Sequence, residues 1–250
     1  MNLITLAIDI GNTSSKWGVF QKGNLVRKEN TSRDTQSYSA FLQTLLPQPM
    51  NCPIRAVMAS VVPETSKHIA LALASSGIPL GIIDRFSQIP MPISLKEPNQ
   101  VGMDRLLAAY AGLKMAPGAS HVITIDAGTA ITVDLVSREK GFLGGAILPG
   151  FHLMAKSLHD HTALLPLAAR PFPVQKGPGA NSLEAIQVGI SSAGIGGVAR
   201  LIADYQLLAG ENTKIFFTGG DGLLLAEALM QKNAYHPDMV LWALNFLDSH

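Results

Sequence analysis

Two copies of a short acid–glycine pattern hold the groups in this chain that are best suited to phosphate chemistry. The first is D-I-G-N-T at Asp9–Thr13, and the second is D-A-G-T-A at Asp126–Ala130. Each follows an apolar run and precedes a second β-prone run. A strand, a tight glycine turn and another strand place an acid and a row of backbone N–H groups at one hairpin tip, which suits phosphate. The two copies predict a duplicated fold that holds a nucleotide between its halves.

The first copy continues to Lys16 and predicts a phosphate-binding loop. Its amide and hydroxyl side chains offer donors to phosphate oxygens, Lys16 adds a positive charge, and Gly11 permits a sharp turn and a close approach. Asp9, at a predicted strand end, suits a Mg²⁺ ion held through water. An ordinary hairpin is the alternative, since these residue types are common in turns, but the lysine and the second copy favour phosphate. The residues of the predicted loop are Asp9, Ile10, Gly11, Asn12, Thr13, Ser14, Ser15 and Lys16.

The second copy has no lysine, which favours a γ-phosphate or cation site over a second phosphate anchor. Asp126 could bind a monovalent or a divalent cation. A third glycine turn, T-G-G-D-G at Thr218–Gly222, follows a predicted strand and opens a helix, so it suits the adenosine part of a nucleotide. The sequence His159-Asp160-His161 does not have the spacing of a metal site and is interpreted as a polar loop.

The motif G-M-D-R at Gly102–Arg105 offers a candidate base. Asp104 would lie in the first turn of a helix, where the helix dipole favours a negative charge, and a carboxylate there can accept the proton of an attacking hydroxyl. Arg105 can bind a substrate carboxylate or neutralise transferring charge. The spacing alone favours a simpler interpretation, in which Asp104 caps the helix and Arg105 is its surface neighbour.

The order of predicted elements indicates an α/β protein with two similar halves, at residues 1–100 and 101–250. Each half opens with three strands around a D-x-G turn, and helices then alternate with strands. Pro90, Pro92 and Pro98 indicate a linker or a substrate-facing loop. A long helical stretch begins at Asn181 with a capping box. Its four glycines predict a close backbone approach or a break; they are Gly189, Gly194, Gly196 and Gly197.

Composition limits the partners and the compartment. The formal net charge of +1 over 250 residues gives no electrostatic footprint for nucleic acid. A single cysteine, Cys52, excludes an internal disulfide and cannot form a zinc site alone. Met1–Thr13 lacks a basic segment typical of a signal peptide, and polar residues and a proline interrupt the apolar stretch Ile69–Ile83, so no membrane span is predicted. We expect a cytoplasmic protein, and a charged fraction of only 15% suggests surface buried in an oligomer.

The ordered set of motifs resembles the type III pantothenate kinases, which belong to the acetate kinase/hexokinase/actin-like superfamily. The motifs are D-I-G-N-T-S-S-K, G-M-D-R, D-A-G-T-A, G-G-A-I-L-P-G and T-G-G. The resemblance extends from Asp9 to about Asp248, and the set rather than any single motif carries it. It implies duplicated ribonuclease H-like (actin-like ATPase) halves with a nucleotide cleft between them. It also implies ATP-dependent phosphorylation of pantothenate, the first step toward coenzyme A.

The resemblance also implies roles for particular residues. Asp9–Lys16 would bind the phosphates of Mg²⁺-ATP, Thr129 would contact ATP, and Asp126 would hold a monovalent cation, K⁺ or NH₄⁺. Asp104 would be the proton acceptor, and Ser182, where the family usually has Thr, would contact the substrate. The family further implies a homodimer. The residues assigned to pantothenate are Gly102, Met103, Asp104, Arg105 and Ser182.

Two departures from the family pattern leave alternatives open. Asn99 stands where the family often has an aromatic residue, and Ala108 where it often has Asn. One alternative is a superfamily kinase that acts on another small hydroxyl or carboxylate substrate. Another is a non-catalytic transcription accessory or regulatory member of the same family, although the intact acids and Lys16 favour an enzyme.

Overall fold

The computed structural model describes residues 3–12, 14–32, 37–46, 52–169, 172 and 177–248. The chain forms two compact units. The first comprises residues 1–90, 97–111 and 239–250, and the second comprises residues 91–96 and 112–238. These units differ from two continuous halves divided at residue 100, because the C-terminal segment packs in the first unit.

The first unit is built on a mixed five-stranded sheet of order β3-β2-β1-β4-β5. Strands β1, β2 and β3 form an antiparallel meander, whereas β4 runs parallel to β1 and β5 runs parallel to β4. The strands are β1 Ile4–Ile10, β2 Ser14–Gln21, β3 Asn24–Ser32, β4 Ile54–Ser60 and β5 Leu80–Ile82. The helices of this unit are α1 Tyr38–Leu45, α2 Pro63–Ser75, the first part of α3 Met103–Met115, and α7 Met239–Asp248.

The second unit repeats this strand pattern in a four-stranded sheet of order β8-β7-β6-β9. Again three strands form an antiparallel meander, and β9 lies parallel to the first of them. The strands are β6 His121–Ala127, β7 Ala130–Ser137, β8 Gly141–Pro149 and β9 Thr213–Thr218. The helices are α4 Phe151–Asp160, α5 Ser182–Ala209 and α6 Gly222–Ala228. The predicted duplicated α/β fold is confirmed, and in each unit a D-x-G turn joins the first strand to the second.

Helix α5 is continuous through its four glycines, so the predicted alternative of a break is wrong. The predicted close approach is present instead. A Cβ on Gly194 would lie 2.5 Å from Cε1 of Phe151, and one on Gly197 would lie 2.9 Å from Cδ2 of Leu148. The predicted cap is also present, since Asn181 Oδ1 accepts the backbone N–H of Glu184 at 3.0 Å. Glycine in this helix therefore allows the aromatic ring of α4 and a side chain of β8 to pack against its backbone.

Helix α5 is also long and apolar enough to span a bilayer by length and composition. Its most apolar 18-residue window has a mean hydropathy of 1.4, and 33% of that window is buried within the protein. Core helices of globular proteins have the same properties, and the buried residues Ile186, Ile190 and Val198 belong to the hydrophobic core of the second unit. These buried residues form the face of the helix that packs on this core.

The proline-rich segment, predicted to be a linker or a loop, pairs with the edge of the second sheet. Phe142 donates its N–H to the Pro92 carbonyl at 2.9 Å, and Ser94 donates its N–H to the Phe142 carbonyl at 2.9 Å. Gly141 adopts a left-handed φ of 74°, and a side chain there would overlap the Pro92 carbonyl. Residues 91–96 thus belong to the second unit although the chain on either side belongs to the first.

A buried carboxylate on the C-terminal helix joins this helix to the rest of the first unit. We expect that removal of the carboxylate lowers the stability of the protein. Asp248, with a side chain only 1% exposed, pairs with Arg55 Nε at 2.9 Å and accepts the Thr5 hydroxyl at 2.8 Å. Arg55 is 53% exposed and can return to water, so Asp248→Ala mainly leaves the buried Thr5 hydroxyl without its partner. The free energy of unfolding should fall by about 1–3 kcal/mol, as measured by urea denaturation.

A matched control for this variant is Glu64→Gln, which removes an exposed acid from the ion pair with Lys67 in the same unit. Exposed pairs contribute little, so this control should not change the denaturation midpoint. Equal midpoints for Asp248→Ala and the unsubstituted protein would contradict a stabilising role for the buried carboxylate.

Candidate active site

The strand register places the two charged ends of the first motif side by side. In the β1–β2 ladder Asp9 lies directly opposite Lys16, and Ile8 lies opposite Trp17. Directly opposed residues share one face of a sheet. Ile8 and Trp17 are fully buried, while Asp9 and Lys16 are partly exposed. The alternation that buries Trp17 therefore places a carboxylate and an ammonium group together beside the turn, as the phosphate-loop prediction requires.

Gly11 lies in the turn between these strands and bonds across it. The Gly11 N–H donates to the Ser14 carbonyl at 3.1 Å, which closes the turn. Gly11 is not in the left-handed region, and a Cβ there would make only an ordinary contact with that carbonyl. The conformation of the turn therefore does not require glycine. The lack of a side chain would instead allow a ligand to come close to the backbone. Asn12 is exposed, whereas the predicted contact residue Thr13 lies outside the described residues.

Ser15 has a different environment from the other hydroxyl residues of the loop. It is 1% exposed, and Oγ has no hydrogen-bond partner among the residues that the structure describes. In the strand alternation it shares the face of Trp17 rather than that of Lys16. Any contribution of Ser15 to phosphate binding would therefore come from its backbone.

The G-M-D-R motif forms the beginning of helix α3, and its glycine has a local purpose. A Cβ on Gly102 would lie 2.5 Å from Oδ1 of Asp104, so the carboxylate folds back over residue 102. The same oxygen accepts the Arg105 backbone N–H at 2.9 Å. Asp104 is exposed in the first turn, while Met103 and Arg105 are partly exposed. The carboxylate is thus held in one orientation and remains accessible.

The second D-x-G turn carries a row of oxygen groups across three strands. Asp126 on β6 is in register with Thr132 on β7 and with Thr218 on β9. In-register residues of neighbouring strands lie on one face, so a carboxylate and two hydroxyls line up at this edge. Hard oxygen ligands of this kind suit an alkali or alkaline-earth cation. Thr129, the predicted ATP contact, is exposed in the turn itself.

Two further glycines pack directly against this turn. Gly150 donates its N–H to the Thr129 carbonyl at 3.0 Å, and a Cβ on it would overlap the Gly128 carbonyl. Gly219 has a φ of 85°, and a Cβ on it would lie 2.4 Å from both the Ala127 carbonyl oxygen and Asp126 Oδ1. The motifs P-G and T-G-G are therefore close-packing partners of D-A-G-T-A. Gly128 itself has open space around the position of a Cβ.

Sequence reasoning missed Tyr235, which also reaches this cluster. Its hydroxyl donates to the Gly219 carbonyl at 3.3 Å, and its ring packs against Gly222. Burial raises the pKa of Tyr235, and the carboxylates of Asp238 and Asp126 raise that pKa further. No pattern around residue 235 distinguishes this tyrosine from a core residue, so only the fold identifies the contact.

Ser182 lies in a different part of the second unit. It is the first residue of α5 and lines an apolar groove of about 880 Å³ between α4 and α5. Leu153, Leu158 and Ile186 are among the other residues of the groove. The predicted contact of Ser182 with the substrate stays a prediction.

His159 and Asp160 both have local partners. His159 Nδ1 lies 2.9 Å from the Leu165 carbonyl, and Asp160 pairs with Lys156 at 2.7 Å. The Lys156 ammonium lowers the pKa of Asp160 by a hydrogen bond. Within the described residues, no group of three His, Cys, Asp or Glu side chains could hold a metal ion. A cation at Asp126 would therefore need hydroxyl, carbonyl or water ligands as well.

A family model for type III pantothenate kinase matches residues 5–204. The chain belongs to the type III pantothenate kinase family. The family resemblance inferred from the motifs is thereby confirmed, and the protein is an enzyme of the kinase class. The match includes the predicted phosphate loop, G-M-D-R, D-A-G-T-A and Ser182, and it ends before T-G-G and Tyr235.

Relatives of this kinase family align over nearly the whole chain. A type III pantothenate kinase of Christiangramia forsetii is 33% identical over 245 residues and covers 98% of this chain and 97% of its own. A type III pantothenate kinase of Dehalococcoides mccartyi is 31% identical over 254 residues, with 97% and 96% covered. The sequence similarity therefore continues beyond residue 204, through the rest of the second unit and into the C-terminal helix.

Solved structures support the fold. A protein of Campylobacter jejuni described as a Baf family transcriptional activator has a TM-score of 0.58 at 22% identity, with 98% of this chain and 97% of that chain covered. The ethanolamine utilization protein EutJ of Carboxydothermus hydrogenoformans has a TM-score of 0.54 at 12% identity, with 98% and 89% covered. At these identities the likeness concerns the fold alone, which is the actin-like ATPase fold.

Proposed function

We propose that this protein transfers the γ-phosphoryl group of ATP to the primary hydroxyl of pantothenate, giving 4′-phosphopantothenate for coenzyme A biosynthesis. The observation that carries the proposal is the family match over residues 5–204, a range that contains Asp9, Lys16, Asp104 and Asp126. Phosphoryl transfer requires positioning and charge stabilisation more than covalent chemistry. The side chains on the two D-x-G turns and at the start of α3 suit these tasks.

The first turn would bind the phosphates of ATP. Lys16 supplies a positive charge beside the turn, and the absence of a side chain at Gly11 would let a phosphate approach the backbone. Asp9 shares the face of Lys16 and would hold Mg²⁺ through its water ligands. When bound, the metal ion would neutralise charge that develops on the transferring phosphoryl group.

The second turn would bind a monovalent cation, K⁺ or NH₄⁺. The in-register row of Asp126, Thr132 and Thr218 offers oxygen ligands, and the open position of Gly128 leaves the turn accessible. Thr129 at the tip would contact ATP. The cation would add to the positive charge around the phosphates.

Asp104 would accept the proton of the pantothenate hydroxyl as that hydroxyl attacks phosphorus. Its carboxylate is accessible, and Gly102 with the Arg105 N–H keep it in one orientation. Arg105 would bind the carboxylate of pantothenate, and Gly102 and Met103 would contact the rest of the molecule. Ser182 would complete the substrate contacts. We further propose that the protein acts in the cytoplasm as a homodimer, which the low charged fraction of 15% supports.

A coupled assay of ADP release tests the proposed function. With ATP, Mg²⁺ and pantothenate, ADP should form in the presence of K⁺ and only slowly when K⁺ is replaced by a bulky organic cation. A panel of other small hydroxyl and carboxylate compounds, without pantothenate, distinguishes the alternative superfamily substrates. Absence of ADP above background with pantothenate, with or without K⁺, would reject the proposal and favour a non-catalytic role.

Substitution of the proposed cation ligand should weaken the response to K⁺. In Asp126→Asn the carboxylate charge is lost while the shape remains, so the K⁺ concentration for half-maximal activity should rise about tenfold or more, the usual scale for losing a charged partner. The activity titration with K⁺ measures this shift. Asp204→Asn, which removes an acid paired with Arg200 in the same unit, should leave the titration unchanged. An unaltered K⁺ response in Asp126→Asn would place the cation elsewhere.

A further inference from the structure

Tyr235 lies outside every motif of the sequence, yet it is connected to the turn at Gly219 at two points. Its hydroxyl donates to the Gly219 carbonyl at 3.3 Å. A Cβ on Gly222 would lie 3.1 Å from Cε2 of the Tyr235 ring, so the ring covers the beginning of helix α6. The segment Gly219–Gly222 thus has the tyrosine along one side.

The same turn also contacts the proposed cation and ATP turn. Gly219 packs against the Ala127 carbonyl and Asp126 Oδ1, and Asp221 donates its N–H to the Ala127 carbonyl at 2.9 Å. The Gly219 carbonyl also accepts the Gly222 N–H at 3.2 Å. Gly219 therefore contacts both the Tyr235 hydroxyl and the Asp126 carboxylate.

Backbone hydrogen bonds hold Tyr235 in place. Tyr235 pairs with Phe217 in a parallel bridge, and the following residue, His236, donates its N–H to the Phe217 carbonyl at 2.7 Å. The Tyr235 N–H closes the short helix Lys232–Ala234 by donating to the Lys232 carbonyl at 3.2 Å. Because hydrogen bonds hold the backbone of Tyr235 and His236 in place, the Tyr235 hydroxyl can hold the Gly219 carbonyl in one position.

We propose that Tyr235 is a positioning residue for nucleotide binding, which acts by holding the Gly219 peptide against Asp126. The inference rests on the proposed function, in which Asp126 and Thr129 serve ATP and its cation. Tyr235 does not itself touch the reacting atoms in this scheme. Its hydroxyl is a partly buried donor to the Gly219 carbonyl, and burial raises its pKa further above neutrality.

The variant Tyr235→Phe isolates the hydroxyl because the ring that covers Gly222 remains. We expect the dissociation constant of a non-hydrolysable ATP analogue, measured by calorimetry with Mg²⁺ and K⁺, to rise about three- to tenfold, the scale of one lost hydrogen bond. In steady-state assays KM for ATP should rise similarly, while KM for pantothenate and kcat stay within about twofold of the unsubstituted enzyme. A change in KM for ATP alone distinguishes positioning from general destabilisation, which would change KM for ATP, KM for pantothenate and kcat together.

Tyr205→Phe is the matched control, since Tyr205 is also a partly buried tyrosine packed against the core of the second unit. It should leave analogue binding unchanged. Equal analogue affinity in Tyr235→Phe and the unsubstituted protein would overturn the inference, and so would an equal loss in both tyrosine variants. The direct binding measurement needs no pantothenate, so a protein that binds the analogue but does not phosphorylate pantothenate would refute the proposed function alone. Failure of the unsubstituted protein to bind the analogue would refute both.

Discussion

Asp104→Asn should lower kcat by about 10²–10⁴-fold, the usual scale for the loss of a general base. The amide keeps the shape of the carboxylate and can still accept the Arg105 N–H that the carboxylate accepts at 2.9 Å. It cannot take the proton of the attacking hydroxyl. The affinity for an ATP analogue should change little because the substitution does not alter the proposed phosphate loop. Single-turnover and steady-state measurements with pantothenate report the loss.

The chain contains a close control for this variant in Asp84-Arg85, a second exposed Asp-Arg pair in the first unit. Asp84→Asn makes the same chemical change and should leave kcat unchanged. Gly102→Ala offers a second approach, because a Cβ there would displace Asp104 Oδ1 while the acid remains. It should lower kcat less than Asp104→Asn does. Turnover near that of the unsubstituted enzyme in Asp104→Asn would remove Asp104 from the role of base.

Gly219→Ala should damage both stability and nucleotide binding. The residue has a φ of 85°, and the new Cβ would lie 2.4 Å from Asp126 Oδ1 and from the Ala127 carbonyl oxygen. The free energy of unfolding should fall by about 2–5 kcal/mol, as left-handed strain and overpacking add. The displaced turn should weaken binding of the ATP analogue about ten- to a hundredfold, which corresponds to about 1.4–2.8 kcal/mol. Urea denaturation and calorimetry measure the two effects.

Gly210→Ala is the control for Gly219→Ala, because it introduces backbone strain without a steric clash of the new Cβ. Gly210 has nearly the same φ, 82°, but no atom lies within 4 Å of the position of a Cβ. It should therefore show only the backbone strain of a glycine-only conformation with ψ of −178°, about 1–3 kcal/mol, with unchanged binding of the analogue. If the two glycine variants bind the analogue equally well, the close contact of Gly219 with Asp126 is not important for the nucleotide.

The local features of the fold were predictable because they depend on neighbouring residues. The apolar and β-prone runs on either side of the turns at Asp9 and Asp126 predicted the two hairpins, and the Asn181 cap predicted the beginning of α5, as the structure confirms. The four glycines of α5 allowed two interpretations. Distant packing decided between them, since Phe151 fills the space that Gly194 leaves.

The candidate site likewise combines features that the sequence predicts with features that only distant packing decides. The sequence by itself determined the duplicated α/β pattern, the residue types on the two turns and the family, because these are written in short segments and their order. Only the tertiary structure decided that Ser15 faces the core, and that Gly150, Gly219 and Tyr235 converge on the turn at Asp126. Those contacts join residues far apart in the chain through backbone carbonyls, which every residue carries. The glycine motifs were visible in the sequence, but a carbonyl leaves no mark in the type of residue that carries it, so neither their common partner nor the contact of Tyr235 could be predicted.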